Sequence, residues 1–450
     1  MLFSKHLIPL SAACLAVANA KESQTYAPNI TITNTTTSMK PLSSDSEFAF
    51  ILSEYLSLSN EGGAATGEVL RAAAVIEPGD IESWYREFKF LADKIGAQAE
   101  KAEKNKAWVS ARDAYFRSSS YYRAADFFLH GNQSDPRIYS LWDKQSRAFN
   151  KAVGLLPRPP TFVQLKATNF TVPAYFYPAD PQLPAGKSGS KKRRLPTVIV
   201  GTGYDGSQEA IYHSNCREII QRGWNCITYE GPGQPTVRRD QDIGFIPEWW
   251  EAVTPVVDYL RSRNDVDVDR VALIGVSFGG LLAPLAATRE HRLAAVVAID
   301  GMLSLQRAIG EALPAQMMEL FYSGNKAGFN KYVATVLAMP DIPTNFRWGL
   351  DQGMWAWNTT DAYQWFSDLG EFGLDKAKLD EIKCPVYVAS GEDDNLAPGQ
   401  PEEMARLLGQ DRSEYFLFKT ELGAGEHCAL GAEQQLALET LGWLGEIFEK

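Results

Sequence analysis

From Thr197 onward the chain alternates short apolar runs with helical stretches, and this rhythm constrains the fold more than any other feature. TVIV (Thr197–Val200) reads as a buried strand and Gln208–Arg222 as a helix; NCITY (Asn225–Tyr229) and Pro247–Arg263 repeat the pair. VALI (Val271–Ile274) leads into a small-residue helix, and LAAVVAI (Leu293–Ile299) follows. PVYVAS (Pro385–Ser390), a helix near Glu402–Leu408, YFLF (Tyr415–Phe418) and a last helix from Ala432 complete the series. Strands joined through helices pair in parallel and take helices on both faces, so the expected core is α/β with a mostly parallel sheet.

The rest of the chain is arranged around that core. With 450 residues it exceeds what one core usually serves. Residues 47–160 are expected to form a helical cap domain, because DAYFRSSSYYRAADFFL (Asp113–Leu129) spaces its apolar and aromatic residues at helical intervals. LPRPP (Leu156–Pro160) ends it. Two alternating stretches, Phe162–Lys166 and Val172–Tyr177, read as an antiparallel hairpin opening a second domain over 161–450. A mostly helical insertion is expected at about 302–383.

The first twenty residues read as a signal peptide: a basic start at Lys5, an apolar run, and small residues at Ala18 and Ala20. A Thr/Ser/Asn-rich lead-in follows to residue 46. Sequons at Asn29, Asn34, Asn132, Asn169 and Asn358 agree with the secretory pathway, secreted or retained in a vesicle or vacuole, and with glycosylation. The basic loop AGKSGSKKRR (Ala185–Arg194) is exposed by composition and offers a dibasic processing protease Arg193 or Arg194. Beyond the leader remain Cys216, Cys226, Cys384 and Cys428, too few for a disulfide framework; Cys216 and Cys226 are either paired or free and buried. A net charge of −11 argues against nucleic acid and anionic membranes, and no later segment is apolar enough to span a bilayer. A homodimer is left open.

Gly275-Val276-Ser277-Phe278-Gly279 sits where strand turns into helix, the context that a Gly-x-Ser-x-Gly nucleophile elbow demands. A serine hydroxyl needs a base, and in this architecture the order is serine, acid, histidine. His291 follows the serine too early to leave a strand for the acid. His427, in GAGEHCALGA after the last strand, is the candidate base. Asp394 in VASGEDDNLAP is the candidate acid, with Asp393 as the alternative. The oxyanion would meet the backbone N–H of Phe278 and a second donor in GTGYDGS, at Tyr204 or next at Asp205. Glu230 in YEGPGQPT either contacts substrate or braces a turn. The aromatics of GMWAW (Gly353–Trp357), Trp355 foremost, either line a pocket or pack the cap. No metal cluster or dinucleotide fingerprint stands out, so no cofactor is expected, and water or an internal nucleophile is the natural second reactant.

These stretches, YFRSSSYYRAADFFL, YDGSQE, YEGPGQ, GVSFGGLLAP, GEDDNLAPGQP and GAGEHCALGA, resemble a known family. It includes fungal polyketide chain-shortening hydrolases, fusarin-type biosynthetic hydrolases and bacterial 2,6-dihydroxypseudooxynicotine hydrolase. The resemblance implies an α/β-hydrolase fold with a helical cap and a Ser277, Asp394, His427 triad. It also implies a small polyketide-like or aromatic substrate bearing ketone or acyl groups. Cleavage of a carbon–carbon, ester or amide bond, or ring closure by an internal nucleophile, would use the same groups. Pro235 stands where the family pattern leads one to expect glycine, which puts the substrate contacts of that loop in question.

Overall fold

The computed structural model describes residues 39–180 and 194–450. The leader, Asn29, Asn34 and all of the basic loop except Arg194 lie outside the described residues.

Eight strands form one sheet: β1 (Thr161–Lys166), β2 (Thr171–Tyr177), β3 (Leu195–Gly201), β4 (Asn225–Tyr229), β5 (Val266–Val276), β6 (Ala295–Ile299), β7 (Val386–Gly391) and β8 (Ser413–Phe418). Their order is β1-β2-β4-β3-β5-β6-β7-β8. The β1–β2 hairpin pairs antiparallel, β2 joins β4 antiparallel, and every later pairing is parallel. β4, β6 and β7 are buried at every residue, as strands covered on both faces must be. The helix Trp250–Ser262 packs on β1, β2 and β5, Gly279–Ala287 on β5 and β6, and Gln400–Leu408 on β7 and β8.

Before the sheet come the helices Ser46–Ser57, Thr66–Ala73, Ile81–Lys104, Trp108–Asp126 and Arg137–Gly154. Asp45 and Asp80 start two of them by accepting the N–H groups of Phe48 and Ser83. Phe48, Trp84 and Phe128 pack ring on ring with centroids 4.7–5.0 Å apart, so the first helix is tied to the aromatic core of the helical part. Six α-helices, from Leu305–Ala312 to Lys376–Glu381, and a 3₁₀ turn at Leu369–Glu371 fill the connection between β6 and β7.

Two local expectations are revised. The stretch 208–222 is not one regular helix, because a π turn at Tyr212–Cys216 separates Gln208–Ile211 from Arg217–Gln221. There Tyr212 stacks on Phe116 at 5.4 Å and His213 bonds the Glu61 carbonyl, contacts from the helical part that periodicity cannot show. Of the two states open to Cys216 and Cys226, the structure has both free and buried.

One buried cluster joins the helical part, the core and the insertion. Asp126 accepts from Arg239 Nη2 at 2.6 Å, and neither side chain exceeds 2% exposure. His130 accepts from Arg239 through Nε2 at 3.2 Å, donates from Nδ1 to Gln352 Oε1 at 2.6 Å, and stacks on Trp355 with centroids 4.1 Å apart. Burial alone would raise the Asp126 carboxyl, but the guanidinium groups of Arg239 and Arg123 hold it at about 2. Burial pushes His130 below its ordinary value, which keeps the ring neutral and consistent with one donating and one accepting nitrogen. Replacing Arg239 by Met strands a buried carboxylate, so Arg239→Met should destabilise the protein by about 3–5 kcal/mol. Urea unfolding measures this, and a loss within the scatter of surface substitutions would contradict the assignment.

Candidate functional site

β5 runs straight into the elbow, and Ser277 sits at its apex with φ 63°, in the left-handed region. Side chains on the neighbours would block that turn. A Cβ at Gly275 would lie 1.9 Å from the Gly279 oxygen, and one at Gly280 would lie 2.5 Å from the Ile299 oxygen. The helix Gly279–Ala287 therefore starts hard against the sheet, and the serine is pushed out at the strand's carboxyl end.

Three chain segments meet there. His427 follows β8 on a short turn whose next residues, Cys428 and Ala429, also hold positive φ (59° and 51°). Its Nε2 lies 2.9 Å from Ser277 Oγ and its Nδ1 2.9 Å from Asp394 Oδ2. Asp394 follows β7, and its other oxygen accepts the Leu396 N–H at 2.9 Å. The alternative acid, Asp393, faces elsewhere and accepts from Thr420 Oγ1 at 2.7 Å. His291 bonds the Thr288 carbonyl at 2.8 Å, on a local turn.

A second carboxylate reaches the same imidazole, and sequence reasoning missed it. Asp300 Oδ2 lies 3.0 Å from His427 Nδ1. The signal was present, since Asp300 ends LAAVVAID at the same sheet edge, but the usual strand for the acid drew attention to β7. Burial alone would lower the His427 pKa; Cys428, Asp394 and Asp300 outweigh it and carry it well above the ordinary value. Asp394 is held below the usual carboxylate range, because the His427 ring overcomes its burial.

The loop after β3 closes on the elbow. A Cβ at Gly203 would lie 2.7 Å from the Phe278 nitrogen, so this backbone passes directly beside that amide. Gln234 holds the loop, with Nε2 donating to the carbonyls of Thr202 (2.8 Å) and Gly203 (3.3 Å) while Oε1 accepts from Gly231 N–H. Gln352 Nε2 donates to the Tyr204 carbonyl at 3.2 Å, and the Tyr204 hydroxyl donates to the Gly349 carbonyl at 3.0 Å. Asp205 stands next in the loop, its carbonyl held by Arg123 Nη2 at 2.6 Å. Gln234 carried no sequence signal beyond lying in YEGPGQPT, and Gln352 carried none, because their partners are backbone atoms of distant loops.

Of the two readings open for Glu230 and Trp355, the structure takes the structural one. Glu230 is fully buried, and its two oxygens accept the N–H groups of Gln208 (2.9 Å) and Thr236 (2.7 Å), so it braces two helix starts. Trp355 is buried in the cluster with His130, Arg238 and Arg239, and therefore packs the cap junction. Trp357, from the same GMWAW stretch, is the ring near the elbow, 6.1 Å from Phe278 and 4.6 Å from Phe245. Pro235 opens the helix Pro235–Gln241, a position whose N–H has no helical partner to lose.

The first helix closes the site from the opposite side. The Phe50 ring lies 6.5 Å from the His427 ring, and Glu47 and Glu54 share its face at helical spacing. Burial, reinforced by the Asp205 carboxylate, pushes Glu47 up to about 8 and Glu54 up to about 7. Among the described residues, Asp300, His427 and Cys428 bring three possible ligand atoms within 4.8 Å. The imidazole nitrogen there faces two carboxylates, an arrangement that requires an N–H rather than a lone pair, so we assign no metal to it.

Comparison with known proteins agrees with this architecture. The model of the "Alpha/beta hydrolase family" matches residues 212–438. The hydrolase ORFZ of Pyricularia oryzae is 30% identical over 421 residues, covering 89% of this chain and 96% of its own. The 20-hydroxy-prefusarin hydrolase of Gibberella moniliformis is 28% identical over 406 residues, covering 86% and 93%. The crystal structure of 2,6-dihydroxy-pseudo-oxynicotine hydrolase superposes with a TM-score of 0.66 at 18% identity, covering 87% of this chain and 95% of that one. With its elbow, its sheet order and these relatives, the chain belongs to the alpha/beta hydrolase family.

Proposed function

We propose that the protein is a serine-nucleophile hydrolase that cleaves a carbon–carbon, ester or amide bond in a polyketide-derived small molecule. The observation that carries this reading is the unbroken chain Ser277 Oγ–His427–Asp394, with both links at 2.9 Å, at a left-handed elbow. Ser277 attacks the substrate carbonyl while His427 Nε2 takes its proton. The Phe278 N–H and a donor from the Gly203–Tyr204 backbone receive the oxyanion, each donor contributing on the order of 10²–10³ in rate. The leaving group, an enolate in carbon–carbon cleavage, recovers the proton from His427, and water then releases the acyl group. A relative that acts on 20-hydroxy-prefusarin supports a secondary-metabolite skeleton as substrate.

One observation favours a second reading, a cyclase or acyl transferase in which a substrate amine or hydroxyl replaces water. Phe50 stands over His427, and Phe245, Phe278, Trp357 and Phe372 crowd the elbow, which leaves an apolar surround for the acyl-enzyme. Metabolite profiles of a producing host carrying native protein or Ser277→Ala separate the readings. Hydrolysis predicts accumulation of a compound heavier than the product by an acyl fragment less water. Cyclisation predicts a precursor that is an isomer of the product or differs from it by water alone. An unchanged profile would refute both.

His427 must be neutral to accept the serine proton, and its pKa is raised. Hydrolysis of p-nitrophenyl butyrate should therefore rise with pH through an inflection above the ordinary histidine value of 6.5. An inflection at or below that value would count against this base.

We also place the protein in the secretory pathway. Asn132, Asn169 and Asn358 are all exposed, which supports glycosylation; Asn358 Nδ2 donates to the Asp242 carbonyl at 2.8 Å, a bond a glycan would strain. Protein from a eukaryotic host should gain mobility on deglycosylation, with Asn132→Gln and Asn169→Gln each removing one step. A protein of unmodified mass would overturn this placement.

A further inference from the structure

We propose that Asp300 is a second acid for His427, a positioning residue that shares the Nδ1–H with Asp394. This inference rests on the reading of His427 as the catalytic base.

Asp394 Oδ2 and Asp300 Oδ2 lie 2.9 and 3.0 Å from the same nitrogen. The two distances are nearly equal, although only Asp394 is aligned as a hydrogen-bond acceptor and Asp300 meets the ring as an ion pair. The two acids end neighbouring strands, since β6 pairs with β7 through Ile299 and Ala389, and the Asp300 N–H extends that ladder to the Ala389 carbonyl at 2.9 Å. Asp300 thus occupies on β6 the place that Asp394's loop occupies after β7.

Its position is also over-determined. Asp300 holds φ 55°, a left-handed conformation that, among residues with a side chain, Asp and Asn tolerate best. A Cβ at Gly280 would meet the Asp300 oxygen at 3.0 Å, so the elbow helix presses on this backbone. The Cys428 N–H donates to Asp300 Oδ2 and fastens the histidine turn to the same oxygen. Ser277, Asp300, Cys428 and Ala429 all hold positive φ within one site, and such strain gathers where surroundings enforce a working geometry. The Asp300 side chain is only 2% exposed, so water cannot substitute for the histidine as its partner.

Two carboxylates on one N–H favour the charged imidazolium, because a cation between them offsets their mutual repulsion. The other ionisable groups facing His427 are the Cys428 thiol on its own turn, Glu54 on the helix Ser46–Ser57 and Asp205 on the loop after β3. The expected result is redundancy: either acid alone orients the ring, and both together raise its proton affinity.

The test combines two measurements on the full chain, with Asp300→Asn, Asp394→Asn and the double variant. Asn tolerates the left-handed backbone, and its amide oxygen still accepts the Cys428 N–H. Nitrogen NMR of labelled histidine follows the His427 ring through pH; the chain has 5 histidines, and His427→Gln assigns the signal. Each single variant should lower the His427 titration, the double variant should lower it further, and Asp300→Glu should move it back toward native. Turnover of p-nitrophenyl butyrate should fall less than about 10²-fold in Asp394→Asn and approach 10⁴-fold in the double variant, the scale of losing a sole triad acid. A native His427 titration in Asp300→Asn, with the whole 10⁴-fold loss already present in Asp394→Asn, would overturn the proposal. Native ester turnover in Ser277→Ala would refute the serine mechanism instead, and the histidine titration would still report on Asp300.

Discussion

The left-handed Ser277 is the constraint on which the site depends. A residue forced into that conformation is tolerable only if the chain on both sides can approach closely. Gly275, Gly279 and Gly280 permit it by lying within contact distance of the Gly279, Thr202 and Ile299 carbonyls respectively. The same closeness brings the Gly203 backbone against the Phe278 amide and the Asp300 backbone against the elbow helix. One strained turn thereby sets the mutual positions of Ser277, the Phe278 amide, and Asp300.

The buried Asp126–Arg239–His130 cluster supports that turn at a distance. Arg239 belongs to the α/β core, Asp126 and His130 to the helical part, and Gln352 and Trp355 to the insertion. Gln352 then donates to the Tyr204 carbonyl, so the junction of the three parts is connected by hydrogen bonds to the loop beside Phe278. Gln234 grips the same loop from the other side. Helical part, insertion and core are therefore mechanically joined to the sheet edge that carries Ser277, and the helix carrying Phe50 is held over it by the aromatic packing of Phe48.

Much of the fold was legible because its elements are local. The apolar runs of β3 to β8 and the hairpin of β1 and β2 needed only period and punctuation to read. Ser277, His427 and Asp394 could be singled out because the order of nucleophile, acid and base along the chain follows from strand order, and they do lie within hydrogen-bonding distance. For Glu230 and Trp355 the chain left two readings open, and the structure decides both for the structural one. Both have the chemistry of substrate contacts, yet backbone N–H groups claim the first and a stack of His130 and two arginines claims the second.

The sequence by itself determined the α/β core, the strained elbow and the loops that deliver serine, histidine and acid, since periodicity, glycine placement and chain order are properties of contiguous residues. Only the tertiary structure decided which buried polar groups serve which partners. It turned Asp393 to Thr420 and brought Asp300 to His427, and it set Gln234 and Gln352 on the loop beside Ser277. Hydrogen bonds between residues dozens to hundreds of positions apart leave no periodic trace in the chain, because their geometry exists only once the sheet has aligned its strand ends.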